Sequence, residues 1–225
     1  YGVRDNYTSL AWLAGRVALD RIGHSSNAVA MFYRYAYGGK SLQVTTKGFY
    51  WAGRASLAAG QPAQASAYFS RAALYPELFY GQLALERLGQ KVPAPGYTPP
   101  VAPTDATRTV FSQNRLVRAT RAIMYGGRAD EQMQFVRALS ESLKTPTERA
   151  LAIELSRQLG RKDIAVWVAR SARNNGDAFY VRDAFPDLTA TAYTPESLTN
   201  GIARQESSFD RNAVSYAGAR GLMQL

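Results

Sequence analysis

The chemically richest stretch of the chain is Arg204 to Leu225, RQESSFDRNAVSYAGARGLMQL, where a glutamate precedes two serines, an Asp-Arg-Asn turn and a glycine-bearing loop. Within it, Glu206 is the residue best placed to do chemistry. Leu198, Ile202 and Glu206 recur every fourth position, so on a helix they share one face, with Phe209 close to it. That spacing predicts a carboxyl on the apolar side of a helix end, partly desolvated and with its pKa raised. A carboxyl kept protonated near neutral pH is a general acid, suited to protonating the leaving oxygen of a glycosidic bond. The competing reading is a solvated helix-end residue paired with Arg204 or Arg211, the usual fate of a glutamate.

Most glycosidases set a second carboxyl about 5 to 9 Å from the first, as nucleophile or base. Asp210 is the nearest candidate, but within Asp-Arg-Asn it is expected to hold a turn through side-chain to backbone hydrogen bonds. One glutamate without a partner suggests a reaction in which the substrate supplies its own nucleophile. Other chemistries lack material. The chain has no cysteine, which excludes disulfides and thiolate metal sites, and its one histidine, His24, cannot make a histidine-rich metal cluster or a serine-histidine triad. No metal and no cofactor is expected.

The helix that must carry Glu206 opens at Thr194-Pro195-Glu196, with Thr194 as N-cap, Pro195 at the first helical position and Glu196 placed for the helix dipole. Upstream, two segments align. Ala14-Gly15-Arg16 matches Ala52-Gly53-Arg54, each just after a tryptophan (Trp12, Trp51), and Phe32-Tyr33-Arg34 matches Phe69-Ser70-Arg71. Between them Gly23 matches Gly60 and Asn27-Ala28 matches Gln64-Ala65. This is a helix-turn-helix repeat with glycine at the turn. Small residues let the helices approach while Trp, Tyr, Phe and Leu fill the space between them, and stacked pairs bury what one pair cannot. A weaker copy surrounds Gly160, with Ala165 and Ala172, and another Gly127, with Phe135, Ala138 and Leu139.

No sustained period-two alternation appears, so the chain reads as all-α: a helix-turn-helix repeat solenoid, or superhelix, ahead of a short terminal element. The stretch Lys91 to Thr104, KVPAPGYTPPVAPT, holds five of the ten prolines and reads as a connector. Four parts follow: 1–90, a superhelical repeat domain; 91–104, the connector; 105–190, a second helical block; and 191–225, the terminal element. With 27 Lys and Arg against 17 Asp and Glu the formal charge is +10, which favours anionic partners. The arginines are spread, as at Arg115, Arg118, Arg121, Arg128 and Arg137, and read as solvated helix faces. Basic and aromatic residues do not interleave on one strip, so nucleic acid is not expected as a partner. No run approaches the ~20 apolar residues of a membrane-spanning helix.

Glu206-Ser207, Phe209, Asn212-Ala213, Ser215, Gly218-Ala219 and Gly221-Leu222-Met223-Gln224-Leu225 resemble, in type and spacing, the opening of the catalytic domain of the family 1 soluble lytic transglycosylases. YPELFYGQLALERLG, Tyr75 to Gly89, is similar to the segment that ends the superhelix in these enzymes. The resemblance implies that 191–225 begins a lysozyme-like domain. The implied reaction is cleavage of the β-1,4 bond between N-acetylmuramic acid and N-acetylglucosamine in peptidoglycan, leaving a 1,6-anhydro-muramoyl end. Glu206 would act first as acid and then as base towards the C6 hydroxyl. Ser207 would hydrogen-bond near the carboxyl or the substrate N-acetyl group, and Ser215, Met223 and Gln224 would bind substrate. Core packing is the alternative for Met223 and the preferred reading for Leu222. Gly218 and Gly221 would permit tight turns.

The implied setting is the periplasm of a Gram-negative bacterium. Peptidoglycan glycan strands are the implied partner, with other cell-wall enzymes as further candidates and a monomeric state expected. Arg211 departs from the family pattern, standing where a proline or small turn former is common. The family continues beyond GLMQL with an AYNAG-like motif and a tyrosine-bearing segment that do not occur here, so a C-terminally truncated chain, inactive alone, is expected. Two other functions fit the residues: a non-catalytic helical-repeat scaffold that binds peptidoglycan or protein, and a goose-type lysozyme-like hydrolase using the same glutamate.

Overall fold

A computed structural model describes residues 2–93, 102–177, 180–188 and 195–225, and divides the chain into two compact units, Tyr1–Ala94 and Pro95–Leu225. Within the first, α1 (Gly2–Val17) runs on into a π-helical turn (Ala18–Ile22) and is followed by α2 (Ser25–Gly38), α3 (Leu42–Ala58), α4 (Pro62–Ala73) and α5 (Phe79–Arg87). The start signals are local: Ser41 Oγ accepts the Val44 N–H, and Pro62 opens α4 where its missing N–H costs nothing.

The repeat read from the sequence is present as equivalent contacts. A Cβ on Gly15 would lie 2.7 Å from the Phe32 ring, and one on Gly53 would lie 2.6 Å from the Phe69 ring. Each glycine is therefore the flat spot on which the phenylalanine of the next helix rests. Phe32 and Phe69 are buried, as are Ala28 and Ala65, which occupy matching places one turn earlier on the same helices. Burying each ring contributes about 1.5–3 kcal/mol, and it is available only because the glycine leaves room. Around this contact Trp12, Phe32, Tyr35 and Trp51 meet at centroid distances of 5.2–5.7 Å, while Phe49, Tyr50, Phe69 and Tyr80 continue the aromatic core towards α5.

The second unit holds α6 (Asp105–Gln113), α7 (Arg115–Gly126), α8 (Ala129–Ser142), α9 (Pro146–Leu159), α10 (Lys162–Asn174), the single turn α11 (Val181–Ala184) and α12 (Glu196–Glu206). Several of its helices open on a side-chain cap. Asn114 Oδ1 accepts the Leu116 N–H at the start of α7, and Thr145 with Glu148 forms a reciprocal capping box ahead of Pro146 in α9. Val117, Val136, Leu139, Leu151, Leu155, Ile164 and Val168 form the centre of one apolar core.

The hairpin at Gly160 buries Ala165 and Ala172, as the weak repeat there predicts. At Gly127, Phe135, Ala138 and Leu139 lie on the second helix of the hairpin, α8, whose buried face runs through Gln132, Val136 and Leu139 and leaves Ala138 exposed. Arg115, Arg118, Arg128 and Arg137 are exposed, in keeping with solvated helix faces. The described residues contain no strand, only an isolated antiparallel bridge between Val214 and Arg220, and no described helix is long and apolar enough to cross a membrane.

Candidate active site

Helix α12 presents the glutamate. Its start differs slightly from expectation. Pro195, with ψ 126°, stands before the helix as N-cap instead of inside it, Glu196 opens the first turn, and Thr194 lies outside the described residues. The larger correction concerns the buried face. Leu198 and Ile202 are 53% and 36% exposed and Glu206 is exposed with them, whereas Ala203 is fully buried and Ser207 nearly so. Ala203 packs with Val166 and Phe209 in a small core covered by Leu188, Leu222 and Met223. The helix therefore rests on its Ala203/Ser207 face, with Ala203 against Val166 of α10, and turns its bulkier face outward. Glu206 is thus delivered to an open surface and not desolvated by its own helix.

Neither arginine suggested as its partner is free to reach it. Arg204 folds back to donate to the Ala184 carbonyl and lies 4.0 Å over the Phe185 ring; burial, then the nearby Arg170 charge, lowers its pKa to about 10. Arg211 Nη2 donates to the Gly160 carbonyl at 3.4 Å.

Immediately after Glu206 the chain reverses. The N–H groups of Ser207 and Phe209 both donate to the Ala203 carbonyl, and Ser208 and Phe209 take φ values of 53° and 66°. Left-handed backbone is costly for a bulky residue such as Phe209. The return is burial of its ring, 4% exposed, against Ala203 and Val166. The reversal also delivers Asp210, and as expected from the sequence its Oδ1 accepts the Asn212 N–H at 2.9 Å.

Asp210 does more than hold its own turn. It is 1% exposed and accepts a hydrogen bond from Arg161 Nη2 at 3.2 Å. Arg161, just ahead of α10, is itself buried. It grips Asp163 with two parallel hydrogen bonds of 2.8 Å and donates at 2.5 Å to Gln132 Oε1 on α8. Gln132 in turn donates to the carbonyls of Gly127 and Ile123, and its Oε1 also receives Asn212 Nδ2 at 3.5 Å. One guanidinium therefore ties α8, the α9–α10 hairpin and the turn after Glu206 together. Burial alone would disfavour its charge, but the hydrogen bonds and charge of Asp163, with the charge of Asp210, hold its pKa above the ordinary arginine value. Asp210 is the second carboxylate on a single cation. Burial, followed by repulsion from Asp163, pushes its pKa up against the pull of the Asn212 N–H and Arg161. The sequence reading missed Arg161, Asp163 and Gln132; the one local signal was Arg161-Lys162-Asp163 at the mouth of a helix.

The remaining loop is cross-braced by the residues expected to bind substrate. The Ser207 hydroxyl lies 3.0 Å from the carbonyls of both Ala203 and Leu222, linking the end of α12 to the loop. Ser215 Oγ accepts the Ala219 N–H, closing a hairpin whose tip exposes Tyr216 fully. Gln224 Nε2 donates to the carbonyls of Ala213 and Gly221, and Met223 leans on the Phe209 core. Gly218 and Gly221 have φ values of 91° and 72°, the left-handed turns expected of them. In this arrangement Ser207, Ser215 and Gln224 each give a polar group to the frame, and Glu206 is exposed beside the loop they brace.

Comparison with known proteins meets this geometry at the same residues. Residues 184–225 match the family model for the transglycosylase SLT domain. Three solved structures are similar in fold. One is a complex of the 70 kDa soluble lytic transglycosylase with bulgecin A, with a TM-score of 0.62 and 23% identity. Another is the 70 kDa soluble lytic transglycosylase from Escherichia coli, with a TM-score of 0.56 and 22% identity. The third is an inactive Glu-to-Gln mutant of the lytic transglycosylase Slt from Pseudomonas aeruginosa, with a TM-score of 0.63 and 21% identity. These matches cover 96–97% of this chain but only 34–35% of the solved chains, so this chain spans about a third of their length. No curated protein sequence matches it significantly. The resemblance read at Glu206 to Leu225 is borne out by the family model, and the all-α superhelical architecture by the fold of these structures.

Proposed function

We propose that the chain supplies the acid-base glutamate and the first wall of the sugar groove of a peptidoglycan lytic transglycosylase. The observation that carries this reading is Glu206 itself. It falls inside the SLT match, at the end of α12, exposed on a helix terminus whose next four residues are locked by the Ala203 carbonyl and the Arg161 network. Asp210, four residues further on, is committed to that network. Chemistry with a single carboxyl follows. Glu206 protonates the β-1,4 glycosidic oxygen as the bond to N-acetylglucosamine breaks. It then takes the proton from the muramoyl C6 hydroxyl, whose oxygen closes on C1 to give the 1,6-anhydro end. Bound glycan would supply the desolvation that the helix does not. One similar structure is of a Glu-to-Gln mutant described as inactive, which agrees with dependence on one glutamate.

In this reading residues 1–90 are the superhelical domain, 91–104 the connector, 105–190 a linker-type block and 191–225 the opening of the catalytic domain, with residues 94–101 of the connector outside those described. The same reading has the protein working in the periplasm of a Gram-negative bacterium, as a monomer, on glycan strands. Glu206→Gln in the full-length protein is the test, with purified sacculi as substrate and products read by mass spectrometry. Loss of anhydro-muropeptides with sacculus binding retained is expected. Undiminished lysis would remove Glu206 from the mechanism, and reducing ends in place of anhydro ends would replace the lyase by a hydrolase.

A further inference from the structure

The unit Tyr1–Ala94 carries ten Lys and Arg against four Asp and Glu, and part of that excess is gathered at one place. Trp12, Arg16 and Asp20 follow one another at i, i+4 and i+8 along α1 and its π-helical turn, and Lys47, Trp51 and Arg54 at i, i+4 and i+7 on α3, so each set lines one face. The two indoles meet edge to face at 5.4 Å. The guanidiniums of Arg16 and Arg54 lie 4.4 and 4.3 Å from the centroid of the same Trp51 ring, and Lys47 Nζ lies 3.6 Å from that of Trp12.

Three cations therefore surround two adjoining rings. Asp20 neutralises Arg16 at 2.6 Å, but among the described residues no carboxylate pairs with Lys47 or Arg54. Gathering like charges costs Coulomb energy that the ring faces offset only in part. The cost is visible at Lys47, where partial burial, and then the charge of Arg16, lowers the pKa. The aromatic faces are already covered by cations, so what the cluster offers outward is N–H donors. Stacked guanidiniums direct those donors in the ring plane, the geometry that receives a carboxylate edge on.

The cluster is also a product of the repeat. Arg16 and Arg54 are the corresponding residues of successive repeats, each close after a tryptophan, and stacking repeats turns corresponding residues into a row along the solenoid. A row suits acidic groups strung on a polymer. Duplex nucleic acid is the weaker fit, because its binding rests on about 6–10 phosphate contacts and only two cations here lack an internal counter-charge.

We propose that Arg16, Lys47 and Arg54, mounted on Trp12 and Trp51, form a binding site for the carboxylates of acidic peptide stems carried by a glycan polymer. The anion site rests on the geometry above, and the choice of polymer rests on the lytic reading of Glu206. Binding is measured on the Glu206→Gln chain by tryptophan fluorescence, titrating a soluble disaccharide-tetrapeptide with free carboxylates and the same compound with its carboxylates amidated. The acidic compound is expected to saturate the signal, and added salt to weaken it. Lys47→Gln/Arg54→Gln is expected to raise its Kd about tenfold or more, and the amidated compound to bind no better than to that variant. Arg54→Gln alone, at an exposed position, should show a smaller loss in the same direction and guards against misfolding of the double variant. Equal affinity of parent and variants, equal affinity for the amidated compound, or stronger competition by a DNA oligonucleotide each overturns the site. Because the readout requires no turnover, a protein that forms no anhydro product would refute the lytic reading while leaving this binding result to be judged separately.

Discussion

The helical repeat of α1–α4 and the turn after α12 are held by opposite means. In the repeat, the decisive contacts are apolar and steric: a phenylalanine on a glycine, twice over. In the turn, they are ionic and buried: one guanidinium shared by two carboxylates and an amide. Apolar packing is tolerant, since removing a contact leaves a void that neighbours partly refill. A buried charge network is not, since removing one member strands the others without water. The part of the molecule that presents the glutamate is thus the part least able to absorb a substitution.

Arg161→Met should show this contrast at its strongest. It leaves Asp163 and Asp210 buried without their cation, and a loss of about 3–5 kcal/mol is expected. Hydrogen exchange should rise in peptides covering 207–213 and 161–166 and stay unchanged in α2–α4. A global rise would show that the network is not local to the turn. Gly53→Ala is the matching change in the repeat. Its Cβ must displace the Phe69 ring, at an expected cost of about 1–3 kcal/mol by denaturant unfolding, with exchange raised in α3 and α4 only. Gly15→Ala should do the same through Phe32, and a harmless outcome at either position would break the equivalence of the two pairs.

The smallest effect is expected at Asp210→Asn. The amide can still accept from Asn212 and Arg161 while relieving the repulsion from Asp163, so stability at neutral pH should shift by less than about 1 kcal/mol. The pH dependence changes more. Since the folded pKa of Asp210 lies above its unfolded value, the native state holds this proton more tightly. Its contribution to stability therefore grows as pH falls through the folded pKa and is lost again as pH rises through it. That acid-side gain should vanish in the variant, and its survival would assign it to another carboxylate.

The same contrast explains what was legible in the sequence. The Gly-Phe pairs recur at a nearly constant offset, and a repeated pattern reports a repeated contact without any knowledge of distant neighbours. The turn glycines and the Asp210 turn were legible too, because their causes lie within a few residues. Arg161 was not, since two of its partners lie 29 and 49 residues away and the adjacent Asp163 is a faint local signal among 27 basic residues. The face of α12 was misread for a different reason. Hydrophobic spacing picks out Leu198 and Ile202, but the face that is buried is the one carrying Ala203 and Ser207, whose small size does not register in a hydrophobic pattern. Ser207 and Gln224 carry structural contacts that residue type does not announce, since their hydroxyl and amide N–H meet carbonyls supplied by the folded loop.

The shared guanidinium also has a consequence for heredity. The hairpin at Gly160 and the loop at Asp210 are 49 residues apart in the chain at their point of contact, yet loss of the guanidinium is felt at both. A change at 161 is tolerable only alongside changes at 163 and 210, so these positions are expected to be inherited as a set among descendants of this protein, and recombination between them should be selected against.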